Sequence, residues 1–101
     1  MDLIVKTLKS GRKVGMVAMT SRMEIMAAQK AGDASRLDGQ LRFLNEQVKM
    51  SVREIDGQPA TYEALADLDA VFSYSEILEL RRLIGEINFG EGEPVPLGEG
   101  A

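Results

Sequence analysis

Leu37, Leu41, Leu44, Val48 and Val52 recur at steps of three and four residues. That period sets apolar side chains along one face of an α-helix, and it predicts a long helix over residues 34 to 54. Gly39 inside it costs roughly 1 kcal/mol against alanine, which predicts a kink or a close contact at that point. A helix with one apolar stripe must bury it against another element, so the rest of the chain has to supply what covers it. With 101 residues there is material for one small domain and a single core.

Upstream, DLIVKTL over residues 2 to 8 and KVGMVAM over residues 13 to 19 are short β-branched, apolar runs separated by Lys9-Ser10-Gly11-Arg12. They predict a β-hairpin, with Gly11 supplying the positive φ of a tight connection. Alternation puts Leu3, Val5 and Thr7 on one face and Ile4, Lys6 and Leu8 on the other. One face should cover helices and the other is free to meet a partner. Next, Ser21 with Glu24 has the spacing of a capping box and predicts a helix start. Met23, Met26, Ala27 and Lys30 form its stripe, and Gly32-Asp33 ends it.

Beyond the long helix, Asp56-Gly57-Gln58-Pro59 reads as a turn. Gly57 tolerates positive φ, Pro59 pushes Gln58 toward extended geometry, and Thr61 is placed to cap a short helix holding Tyr62, Leu65 and Leu68. Ser73 with Glu76 offers another capping box, for a last helix burying Ile77, Leu80, Ile84 and Ile87. The expected fold class is α+β: an N-terminal β-hairpin packed on three to four α-helices in a single domain over residues 1 to 88. FGEGEPVPLGEGA, residues 89 to 101, has little to bury and is expected to form a flexible acidic Gly/Pro tail.

The chain has neither cysteine nor histidine. It therefore lacks a thiolate nucleophile, the commonest general base and the most frequent transition-metal ligand. The expectation is a protein that is not an enzyme, with no catalytic residues, no cofactor and no metal. Asp56-Gly57 lacks the alternating carboxylates of an EF-hand and the glycine series and lysine of a P-loop. Ala27 to Gly32, between two predicted helices, imitates a helix-turn-helix. The second helix spends Leu37, Leu41 and Leu44 on a core stripe, and an acidic chain opposes phosphate contact, so nucleic acid is not expected as a partner. The longest apolar run is too short to span a bilayer, and the N-terminus reverses the order of a secretory signal. A cytoplasmic protein is expected.

Through Arg53 there are ten Lys/Arg against five Asp/Glu, a local +5, and from Glu54 onward two against eleven, a local −9, which together give the net −4. Such asymmetry suits self-association or docking on a charged patch, unless the two halves pack together and satisfy each other. Methionine adds a second signal: Met16, Met19, Met23 and Met26 fall within eleven residues. Met fills irregular core gaps, but on a surface it makes an adaptable apolar contact. Both readings stand at this point. On the second, Met16, Met19, Met23 and Met26, with Phe43 off the main stripe of the long helix, form a partner-binding groove.

LIVKTLKSGRKVGM near the N-terminus, KAGD at residues 30 to 33 and VREIDGQPATYEALADL at residues 52 to 68 together resemble the phage tail assembly chaperone family, small proteins encoded just before the tape measure protein. Asp56, Gly57, Pro59, Leu65 and Leu68 sit at positions matching the family's turn-and-leucine region. The resemblance covers the chain to about residue 87. It implies a non-enzymatic factor that binds the tape measure protein, keeps its apolar helical segments soluble and helps recruit tail tube protein. It also implies location in the host cell cytoplasm. The competing readings are a structural subunit of a phage tail or baseplate, and a small phage regulator that binds DNA or a host protein. A homo-oligomer is compatible with each.

Overall fold

A computed structural model of the chain describes residues 2 to 89; the expected tail, apart from Phe89, lies outside the described residues. The fold is mixed α+β. Strands β1 (Ile4–Thr7) and β2 (Lys13–Met16) are followed by α1 (Ser21–Ala31), α2 (Leu37–Ser51), β3 (Val52–Ile55), β4 (Gln58–Pro59), α3 (Leu68–Val71) and α4 (Tyr74–Phe89).

The expected hairpin is present, with Thr7 opposite Lys13 and Ile4 opposite Met16. Its connection closes through Leu8 N–H to the Arg12 carbonyl and Gly11 N–H to the Leu8 carbonyl, both at 2.8 Å. Gly11 sits at φ +96°, where an L side chain is strained. The hairpin does not stand alone: β3 pairs antiparallel with β2, and β4 with β3, making a four-stranded sheet in the order β1-β2-β3-β4.

That sheet corrects the long helix predicted over residues 34 to 54. The helix ends at Ser51, and Val52 to Ile55 continue as a strand. Two forces end it there. The β-branched Val52 and Ile55 suit an extended strand, and the buried Ser51 ties the junction down: its hydroxyl donates to the Val17 carbonyl at 2.7 Å while its own carbonyl accepts from Val17 N–H at 2.9 Å. Arg53 has no counterpart on β2, since Met16 pairs with Val52 and Gly15 with Glu54; it is the extra residue of a bulge that bends β3. Asp56 at φ +51° and Gly57 at φ +81° then make a two-residue hairpin loop with both φ values positive, the arrangement that matches strand twist.

The apolar stripe of α2 divides. Val48 and Val52 are fully buried and Leu44 is half-buried, while Leu37 is 70 % and Leu41 40 % exposed. The C-terminal part of α2 reaches the core formed by the inner sheet face, α4 and residues 60 to 72. Its N-terminal turns overhang it. Gly39 makes the predicted close contact: a Cβ there would lie 1.9 Å from the Asp33 carbonyl oxygen. The start of α1 is a second correction. Thr20, not Ser21, is the N-cap, and its hydroxyl accepts from Met23 N–H at 3.1 Å. Glu24 then falls one position too late to complete a box.

Gly32 at φ +86° ends α1 as expected. The box of Ser73 and Glu76 forms reciprocally, with bonds of 2.8 and 3.2 Å. Thr61 accepts from Ala64 N–H at 3.1 Å, but it caps an isolated turn, and the helical residues begin only at Leu68. Among the described residues no helix is long and apolar enough to cross a membrane.

Candidate functional site

The bulge at Arg53 and the tight Asp56-Gly57 loop decide where residues 58 to 63 run. They fold back along β3, and the Arg53 carbonyl accepts from Ala60 N–H at 2.8 Å. This carries Tyr62 to the flank of α2, where α1 also packs. Between α1, the end of α2 and this returning segment lies an open groove of about 640 Å³. Met23, Met26 and Met50 supply its apolar lining, Tyr62 stands in its wall, and Lys30, Lys49, Arg53 and Glu63 bring charge to it.

Tyr62 organises the polar side. Its phenol donates to Glu46 Oε1 at 2.5 Å, and Glu46 Oε2 accepts from Lys49 Nζ at 3.1 Å. Lys30 and Lys49 hold their ammonium groups 5.2 and 5.7 Å from the ring centroid, within range of a cation–π attraction. The Glu46 carboxylate accepting its hydrogen bond, reinforced by burial and by the negative charges of Glu46 and Glu63, pushes the Tyr62 phenol up to about 12. A phenolate beside two carboxylates is unfavourable, so the ring stays neutral and donating at physiological pH. With Lys49 paired to Glu46, Lys30 and Arg53 against Glu63 leave the lining a small net positive character.

The structure separates the residues assigned to a partner-binding groove. Met23, half-buried, and Met26, 43 % exposed, line this groove together. Met16 does not, because it points from β2 into the core and is fully buried. Met19 packs at the core margin and lines a different groove, of about 420 Å³, with Leu44, Ile84 and Phe89. Phe43 is half-buried and lines neither. Strand alternation explains Met16, since Val14, Met16 and the core lie on one side of β2 and Gly15 on the other.

Sequence reasoning missed Met50, Tyr62 and the cations Lys30, Lys49 and Arg53 as one cluster. The signal that would have found them is Asp56-Gly57 read as a hairpin loop, which requires residues 58 onward to return beside the end of α2. Among the described residues, no three carboxylates gather where a metal ion would be held. Comparison with protein-family models, with curated proteins and with solved structures found no match.

Proposed function

We propose that this protein is a phage tail assembly chaperone, a non-enzymatic factor of the host cytoplasm that holds a helical segment of the tape measure protein and helps recruit tail tube subunits. The observation that carries the reading is the groove lined by Met23, Met26, Met50 and Tyr62. Flexible thioether side chains repack around different apolar surfaces, as a factor handling successive segments of one long helix requires. An amphipathic helix laid into an apolar groove is a recurrent mode of recognition.

Two of the three stretches that resemble the family build this groove. KAGD contributes Lys30, and residues 52 to 68 contribute Arg53, Ala60, Thr61, Tyr62 and Glu63. The surplus of Lys30 and Arg53 over Glu63, with Lys49 paired to Glu46, favours as occupant an apolar helical stripe flanked by acidic side chains.

The test is co-expression with the protein encoded immediately downstream, followed by co-purification and size-exclusion chromatography with light scattering. The expected result is a soluble complex with a long, helix-rich partner that precipitates when made alone. Met26→Asp, at an exposed position, is expected to weaken that complex about 30-fold, as removal of a central apolar anchor does, with an unchanged circular dichroism spectrum. Absence of a complex would overturn the reading, and so would a complex indifferent to both Met26→Asp and Tyr62→Ala. Recovery of the chain from mature particles would instead favour a structural subunit.

A further inference from the structure

At the sheet edge opposite the groove, β1 has no neighbouring strand among the described residues. We infer that β1 pairs antiparallel with β1 of a second copy of this chain, centred on Ile4, joining two four-stranded sheets into one. This inference goes beyond the chaperone reading and does not depend on it.

The backbone sets which residues can pair. On β2, the Lys13 carbonyl accepts from Asp56 N–H at 2.7 Å, and Val17 N–H donates to Ser51. The odd-numbered residues of β2 therefore turn their polar groups toward β3. Direction alternates along an antiparallel ladder, so Val14 and Met16 bond to β1, through their partners Lys6 and Ile4. It follows that Val5 directs its N–H and C=O groups to the free edge, and Leu3, the residue just before β1, takes the same direction once pairing extends the strand. An edge of this kind, with Leu3, Ile4 and Val5 all exposed and neither proline nor bulge, is a template for another strand.

Charge selects the register. The residues that exchange hydrogen bonds are the odd-numbered ones, Leu3, Val5 and Thr7, and alignments of Thr7 with Val5 or with Thr7 set Lys6 opposite Lys6 or Leu8, which leaves three to weigh. With Leu3 opposite Leu3, Asp2 falls opposite Ile4. With Val5 opposite Val5, Lys6 falls opposite Ile4. With Leu3 opposite Val5, Ile4 meets Ile4 and Asp2 meets Lys6 at both ends. Only that last register places two opposite-charge pairs directly across the new ladder and leaves each apolar residue facing an apolar one. Leu3 and Val5 lie on the outer face, where Leu3 Cδ1 already approaches the Gly15 position. Arg53 and Ala60, which line the groove, belong to the other end of the sheet, so pairing at β1 leaves the groove open.

A contact of five residues per strand is small, so the dimer should be weak, with a dissociation constant on the order of 10 μM. Sedimentation equilibrium of the full chain from about 1 μM to about 1 mM reads it directly. Lys6→Glu sets two acids opposite each other in the self-pair, and Asp2→Lys sets two lysines opposite each other. Each variant alone is expected to dimerise about tenfold more weakly. Mixed, the two complement each other at both ends, and the mixture is expected to recover the parent affinity as a heterodimer. Thermal unfolding of each variant checks that it is folded. A monomer throughout the range overturns the inference, as does a dimer that ignores both reversals. Singles that weaken but do not recover on mixing overturn the register, and with it the inference.

Discussion

Two aromatic rings in this molecule are each attended by a cation and a carboxylate, and they are used in opposite ways. At Phe72, the Arg12 guanidinium stacks 4.9 Å from the ring centroid, donates to the Val71 carbonyl at 2.8 Å and to Glu76 at 3.3 Å. Glu76 also accepts from Ser10 at 2.6 Å, and both Phe72 and Glu76 are buried. At Tyr62, Lys30 and Lys49 attend the ring and Glu46 takes the phenol proton's hydrogen bond, but the cluster borders an open groove. The first cluster closes the hairpin tip onto the start of α4. The second keeps charge and apolar surface available. Among the described residues Arg12–Glu76 is the one ion pair that joins the basic and acidic parts of the chain; the others lie within one part. Among the described residues, the two parts thus neutralise little of each other's charge where they pack together.

The largest effect that would sharpen this contrast is expected at Glu76. Glu76→Ala removes the acceptor for Ser10, for Ser73 N–H and for Arg12 at once, leaving a partly buried cation and a free helix-start amide. The expected loss is about 3 kcal/mol, read from the urea midpoint of unfolding. Lys30→Ala at the other ring should cost under about 0.5 kcal/mol, as exposed charges do, yet weaken binding of an acidic helix. Equal stability losses at the two positions would dissolve the distinction between lock and site.

Acid should expose the same difference at a smaller amplitude. Burial works to raise the Glu76 carboxyl, but hydrogen bonds from Ser10 and Ser73 and the positive charge of Arg12 outweigh it and hold the group below its ordinary 4.5. A carboxyl depressed in the folded state binds fewer protons there than when unfolded. Its stabilisation is therefore complete above the ordinary value and is lost as pH falls through the folded one. The urea midpoints of the wild type and of Glu76→Gln should differ at neutral pH and converge in acid. A gap that stays constant down to about pH 3 would show that Glu76 is not held ionised in the fold.

How far the fold could be read beforehand depended on whether a residue's role was local. Gly11, Gly32 and the box of Ser73 and Glu76 act on their own backbone, and each took its expected place. Val52 did not, because its position continues the helical period of Leu44 and Val48 while its φ and ψ are those of a strand. Periodicity reports a face and cannot report where the hydrogen bonding changes partner. The same limit explains Leu37 and Leu41, in phase with Val48 yet beyond the reach of the core. At the candidate groove, the spacing of Met23 and Met26 placed them on one side of α1. Nothing in the spacing of Met16 told that β2 would turn it inward, or that a loop forty residues later would bring Tyr62 to face them.

A last effect, well below that of Glu76→Ala, tests whether the Tyr62 cluster is ordered before any partner arrives. Tyr62→Phe deletes a hydroxyl at the wall of an open groove, and should cost about 1 kcal/mol at neutral pH. The sign with alkali follows from a folded value pushed up to about 12 by Glu46 and by burial. The unfolded phenol loses its proton near 10, so the stabilisation is whole below that and fades as pH rises toward 12. Absorbance titration in a Tyr74→Phe background, which leaves Tyr62 as the single tyrosine, reads the step directly, and Glu46→Gln should move it downward. If the step does not respond to Glu46, the phenol is not tethered and the ring swings free. The groove would then have no fixed wall, and the second cluster would be loose surface rather than the open counterpart of the first.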